Sequence, residues 1–156
     1  MKHEDTIYFH SDREEPYGAF SNFSKHGFVI DGKFWPTSEH YFQGQKFAGT
    51  EHEEIIRLPP APKVAADRGR ERNRPLHEDW NDVKEDVMRR ALQAKFTTHP
   101  ALRDLLLATG DQKIVENAPG DFYWGIGRDG TGQNRLGVLL VELRTILRNS
   151  ASQVTC

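Results

Sequence analysis

Hydrophobic positions in this chain recur at helical spacing over its second half and as brief β-type runs nearer its start. After Asn134 the run RLGVLLVELRTIL sets Leu136, Leu139, Leu140, Leu143 and Leu147 on one stripe. That pattern predicts an amphipathic helix, with Asn134 placed to cap it. Trp80, Val83, Val87, Ala91 and Ala94 recur in the same way and predict a helix over residues 80–96. Residues 100–108 predict another helix, Pro62 opens a short one over KVAADRG, and residues 37–48 follow Pro36 with Thr37 or Ser38 as cap. Residues 6–10 and 113–116 predict short strands. The segment FVIDGKFW, residues 28–35, holds two β-rich runs around Asp31-Gly32, a dipeptide suited to a tight hairpin turn. The strands do not alternate with helices as βαβ units. The predicted class is therefore α+β, mainly helical with short β-strands, in one domain over residues 1–150 and a polar tail over 151–156.

The segment DFYWGIGRDGTGQN, residues 121–134, feeds directly into the last predicted helix. A glycine-rich loop at a helix start offers free backbone N–H groups and the positive end of the helix dipole to an anionic oxygen. Gly125, Gly127 and Gly130 also spell G-x-G-x-x-G. A dinucleotide site would need a second strand after the helix and an acidic residue about 20 positions on; the chain ends soon after its helix, and Tyr123 and Trp124 are too bulky for a plain phosphate turn. Two readings stay open: a ligand wall built from Asp121, Tyr123 and Trp124, or a surface loop closing against the helix.

The helix TSEHYFQGQKFA carries Tyr41, Phe42 and Phe47 in three different directions, the mark of a helix buried on several sides. Glu39, Gln43 and Lys46 nonetheless share one narrow polar face. Either the two charges pair with neighbouring helices, or this face lines a wet pocket. In a pocket, a desolvated lysine acquires a lowered pKa and can attack a carbonyl-like carbon while a carboxylate handles protons. Among the other acidic residues, Glu51 to Glu54 predict a solvated helix start. His40, on the buried helix, reads as a hydrogen-bonded core histidine.

Arg68, Arg70, Arg72 and Arg74 crowd a short string that is either solvated surface or a phosphate clamp. A net charge of -2 speaks against a dedicated nucleic-acid binder. The seven histidines show no ligand spacing, so no metal is expected, and the single Cys156 leaves no intrachain disulfide. No apolar run suits a bilayer and MKHEDTIYFH is unlike a signal peptide, so the cytoplasm is the expected compartment.

Three segments carry a family resemblance: Gly18-Ala-Phe-Ser-Asn-Phe23, then WPTSEHYFQGQKF over residues 35–47, then Asp121 through WGIG to Asn134, Leu136 and Gly137. Between them Gly69, Arg70, Arg72, Trp80, Met88, Lys95-Phe96, Leu106 and Thr109-Gly110-Asp111 fall in the same order. Over roughly residues 7–147 the chain resembles the YbiA-like, or NADAR, family and stands nearest its bacterial YbiA-type N-glycosidases. The resemblance implies a single YbiA-like domain that hydrolyses the bond between ribose C1 and an exocyclic amine, with no cofactor. The implied substrates are phosphorylated ribosylamino-pyrimidine intermediates of riboflavin synthesis. Alternatives are ADP-ribose on guanine bases of nucleic acid, or a non-catalytic ADP-ribose or nucleotide reader. On that reading Lys46, Glu39 and Asp121 are the expected catalytic groups. Ser21, Asn22, Gln43, Arg70, Arg72, Trp80, Tyr123, Trp124, Gly125, Gly127 and Asn134 are expected to bind substrate, with Glu39, Lys46, Trp124 and Asn134 meeting in one pocket. A Lys46 Schiff base and a carboxylate-activated water remain alternative routes.

Overall fold

The computed structural model describes residues 6–154, with side chains as far as residue 150. Cys156 and the first five residues of the signal-peptide reading lie outside the described residues. The chain divides into two compact units, Asn22–Thr98 and a second formed by Met1–Ser21 with His99–Cys156. Short strands and a majority of helices give the α+β class that the sequence pattern predicts.

In the unit of residues 22–98, β2 (Phe28–Ile30) and β3 (Lys33–Trp35) pair antiparallel with Phe28 opposite Trp35. Asp31 and Gly32 both take positive φ, 53° and 80°. That is the turn geometry whose twist matches a hairpin's strands, and glycine enters it without steric cost. Helix α1 (Ser38–Gln45) is the centre of the unit, packed against α2 (Glu51–Arg57), α3 (Pro62–Gly69) and α4 (Trp80–Thr98). Every residue of α1 from Ser38 to Gly44 is buried, as its scattered aromatics predict. Tyr41 packs edge-on to Trp35 at 5.1 Å and Phe42 lies 5.0 Å from Trp80, while Phe47 joins Ile56 and Ala65.

Thr37 is the cap of α1, its hydroxyl accepting from the His40 N–H at 3.1 Å. His40 is the predicted core histidine: its ring bonds the Thr37 hydroxyl at 2.8 Å and the Pro59 carbonyl at 2.7 Å, and burial lowers its pKa. Two expectations change. Helix α1 ends at Gln45 rather than Ala48. Glu53 is not part of a solvated helix start but is buried, accepting from the Gly49 N–H at 2.9 Å and from Lys33 at 3.2 Å.

In the other unit, β1 (Ile7–Phe9) pairs in parallel with β4 (Ile114–Glu116), Ile7 opposite Ile114. Helix α5 (Pro100–Ala108) starts on a proline, whose missing N–H costs nothing there. Helix α6 (Arg135–Val154) buries the predicted leucine stripe and runs past residue 150, where the sequence pattern places a tail. Buried Arg144 reaches from α6 to the Thr109 hydroxyl and the Gln112 carbonyl, both at 2.8 Å, fixing the turn between α5 and β4.

Helix α4 buries Trp80, Val87 and Ala91 of its predicted stripe, but Val83 and Ala94 are only half-buried, and the buried face widens through Met88, Leu92, Lys95 and Phe96. Lys95 is fully buried and desolvation lowers its pKa to about 7. Unfolded, a lysine titrates near 10.5. Between those two values the unfolded chain binds the extra proton, so stability rises with pH across that window and the penalty is complete below it. Lys95→Met is expected to flatten the rise in denaturant midpoint between pH 7 and 10. A parent and variant with parallel pH profiles would contradict the buried neutral amine.

Candidate active site

The polar face of α1 is what the helix period predicts: Glu39, Gln43 and Lys46 succeed one another along one side. Glu39 is buried, and its Oε2 accepts from the Gln43 amide at 2.7 Å. The other amide atom, Gln43 Oε1, is buried with no hydrogen-bond partner among the described residues. Lys46 caps the C-terminal end of α1, half-buried, and its Nζ donates to the Gly69 carbonyl at 3.2 Å. Among the described residues it makes no ion pair, and the Phe42 ring lies 5.9 Å from its ammonium. Loss of hydration therefore dominates its titration and lowers its pKa, Glu39 opposes that change, and Arg70 and Lys84 add to it.

Lys46, Gly69, Arg70, Arg72 and Trp80 line a single concavity of about 420 Å³, together with Phe47, Glu71, Arg74 and Leu76. That is a size suited to a small ligand. The arginine string has both characters that the sequence left open. Arg68 and Arg74 are structural: Arg68 bonds the Ile55 carbonyl at 2.9 Å, and Arg74 holds Glu71, the Arg68 carbonyl and His52. Arg70 and Arg72 are exposed on the pocket's edge, and among the described residues neither guanidinium has an ion-pair partner. Asn22 stands at the start of α1, where its side-chain oxygen accepts from Ser38 at 2.7 Å and its carbonyl from the Glu39 N–H. Phe47, Gly69, Glu71, Arg74 and Leu76 were missed as lining residues. Gly69, Glu71 and Arg74 carried a signal, as members of the string over residues 68–74.

The remaining expected residues belong to the other unit. Ser21 is buried at the end of the short helical turn Tyr17–Phe20. Asp121 Oδ1 accepts from the N–H groups of both Tyr123 and Trp124, at 3.0 and 2.8 Å, and so folds the glycine loop on itself. Tyr123 and Trp124 are half-exposed and meet edge to face at 4.9 Å. The expected row of free N–H groups at the helix start is not there. Arg135 donates to the Tyr123 carbonyl and Leu136 to the Trp124 carbonyl, so the loop's own carbonyls take up the first two N–H groups of the helix, while Gly127 donates to the Ala118 carbonyl. The buried Gly125 offers its carbonyl to the Asn134 N–H. Asn134 precedes α6 but its side chain does not cap it. With φ of 52°, Asn134 turns its amide to β4, accepting from the Glu116 N–H and donating to the Ile114 carbonyl, both at 2.9 Å.

A half-buried amine with a lowered pKa, two guanidiniums without ion-pair partners among the described residues and an indole are groups that can bind a phosphate and attack an electrophilic carbon. The chain belongs to the NADAR domain family, whose model matches residues 8–148. It is 53% identical to the N-glycosidase YbiA of Escherichia coli K12 over 141 residues, 90% of this chain and 88% of that protein. The chloroplastic riboflavin biosynthesis protein PYRR of Zea mays is 42% identical over 144 residues, 83% of this chain and 23% of that longer protein. The NMR structure of the E. coli protein YbiA matches with a TM-score of 0.91 at 49% identity, over 100% of this chain and 92% of that one.

The two bonds at Asp121 predict a structural carboxylate. Asp121→Ala is expected to lower unfolding free energy by about 1 kcal/mol, the usual cost of losing such an acceptor. Asp121→Asn keeps an oxygen in the same place and should stay near the parent in both stability and turnover. A drop of about 100-fold or more in the turnover of Asp121→Asn, with stability intact, would give the carboxylate a proton-transfer role instead.

Proposed function

We propose that this protein is a hydrolase that cleaves the N-glycosidic bond between ribose C1 and an exocyclic amine, on phosphorylated ribosylamino-pyrimidines of riboflavin synthesis. The observation that carries this reading is Lys46: an amine kept from ion pairing, pushed toward its neutral form by burial and by Arg70, in a pocket edged by two free guanidiniums. Its likeness to N-glycosidase YbiA and to a riboflavin biosynthesis protein supports the bond type and the substrate class. Among the described residues no helix is long and apolar enough to cross a membrane.

The chemistry follows from the substrate. In a glycosylamine the nitrogen lone pair expels the ring oxygen and leaves an imine at C1. Neutral Lys46 adds its lone pair to C1, and the former imine nitrogen takes up a proton. Nζ then loses a proton and forms the C=N bond as the pyrimidine amine departs, protonated from the Glu39 side of the site. Water adds to the resulting Schiff base, and collapse of the carbinolamine returns the Lys46 amine and frees the sugar phosphate as its aldehyde. One water is consumed and one C–N bond is replaced by C–O. Arg70 and Arg72 hold the phosphate, and Trp80 walls the pocket against solvent.

The test is incubation with a ribosylamino-pyrimidine 5′-phosphate, with release of ribose 5-phosphate as the readout and borohydride added during turnover. Release, together with a sugar adduct on the Lys46 peptide, is the expected result. Lys46→Ala should lose the adduct and fall toward the uncatalysed rate, which enzymes typically exceed by about 10⁶-fold or more. Arg70→Ala and Arg72→Ala should chiefly raise KM. Activity persisting in Lys46→Ala, with no adduct in the parent, would assign the attack to a carboxylate-activated water. Cleavage of ADP-ribosylated guanine alone would overturn the substrate class.

A further inference from the structure

We propose that Gly69 is a positioning residue for the reacting amine: the missing side chain seats Gln43, and the carbonyl of the same residue tethers Lys46. The inference rests on the role given to Lys46 above. Gly69 is buried at the last turn of α3 and lines the pocket. Its φ is not positive, so backbone conformation does not call for glycine there. Space does. A Cβ at this position would lie 2.7 Å from both Cβ and Cδ of Gln43, and closer still to Oε1. Real Cβ atoms do not approach so near, so any side chain here displaces Gln43.

Gln43 cannot move without consequence, because its Nε2 holds the Glu39 carboxylate at 2.7 Å. The carbonyl end of Gly69 acts on the other partner, accepting from Lys46 Nζ at 3.2 Å. A carbonyl at a helix C-terminus has no intrahelical donor and sits at the negative end of the dipole. It therefore fixes where Nζ lies and partly offsets the loss of hydration that favours the neutral amine. One residue thus sets the positions of all three polar groups on the face of α1, through a gap on one side and an acceptor on the other.

A double-mutant cycle over Gly69→Ala and Gln43→Gly tests this, with unfolding midpoints measured in parallel. Gly69→Ala is expected to lower kcat by about tenfold or more with KM nearly unchanged. In the Gln43→Gly background, which removes the Cβ as well, the same change should cost about twofold at most, since nothing is left to displace. If Gly69→Ala fails to fold, the double variant is expected to fold. Parent-like kcat in Gly69→Ala, equal losses in both backgrounds, or a double variant that also fails to fold would overturn the proposal.

A second measurement is independent of the glycosidase reading. Pyridoxal 5′-phosphate, a phosphorylated aldehyde, followed by borohydride should label Lys46, with the rate read from the Lys46 peptide by mass spectrometry. Gly69→Ala should slow that labelling by about tenfold in the Gln43 parent only. Slowed labelling in a protein that cleaves no ribosylamine would leave the positioning role standing and remove the proposed function. Labelling unchanged by Gly69→Ala would remove the positioning role.

Discussion

Helix α1 is buried along almost its whole length, yet it carries a carboxylate, an amide and an amine on one side. Removing such groups from water costs several kcal/mol unless each finds a partner. The unit of residues 22–98 answers that constraint within a few ångströms. Gln43 donates to Glu39, Lys46 donates to the end of α3, and α3 comes close enough to do so only because Gly69 has no side chain. The result is an amine that is hydrogen-bonded but not ion-paired, which favours a neutral nucleophile over a structural charge. The rest of the unit keeps that balance. Trp35 against Tyr41, Trp80 against Phe42, and Phe47 with Ile56 and Ala65 exclude water from around α1. Thr37 and His40 lock the helix at its start.

The arginine string shows how position converts one residue type to two uses. Arg74 spends its guanidinium on Glu71, His52 and the Arg68 carbonyl, which pins the segment that carries Arg70 and Arg72 to the pocket's edge. Those two reach the pocket's edge with no ion-pair partner among the described residues. Arg70 has a second effect, since its charge helps lower the Lys46 pKa. A phosphate seated on Arg70 would partly neutralise that effect, so binding and amine reactivity are coupled through one charge.

Much of this was legible in the sequence, for definite reasons. The hairpin turn, the Thr37 cap, the leucine stripe of α6 and the polar face of α1 are all local patterns, set by backbone conformation and helix period. What the sequence hid depends on contacts between distant segments. Lys95 sits at a position where helix period allows either surface or core, and only the packing of α4 buries it. Asn134 reads as a cap by residue type, but β4 lies close enough to claim its amide. The glycine loop reads as a phosphate cradle because glycines at a helix start often are one; here the loop's own carbonyls reach those N–H groups first. Gly69 gave no sign of its role, since a steric gap is visible only when the side chain that fills it is in place.

The central claim is that Lys46 is poised toward its neutral form by the packing around α1. The most direct measurement is the titration of its side-chain amine by heteronuclear NMR on lysine-labelled protein, assigned by Lys46→Arg. The expected midpoint lies below the ordinary lysine value of 10.5, moves upward in Arg70→Gln and moves downward in Glu39→Gln. A midpoint at or above 10.5 that neither substitution shifts would contradict the account.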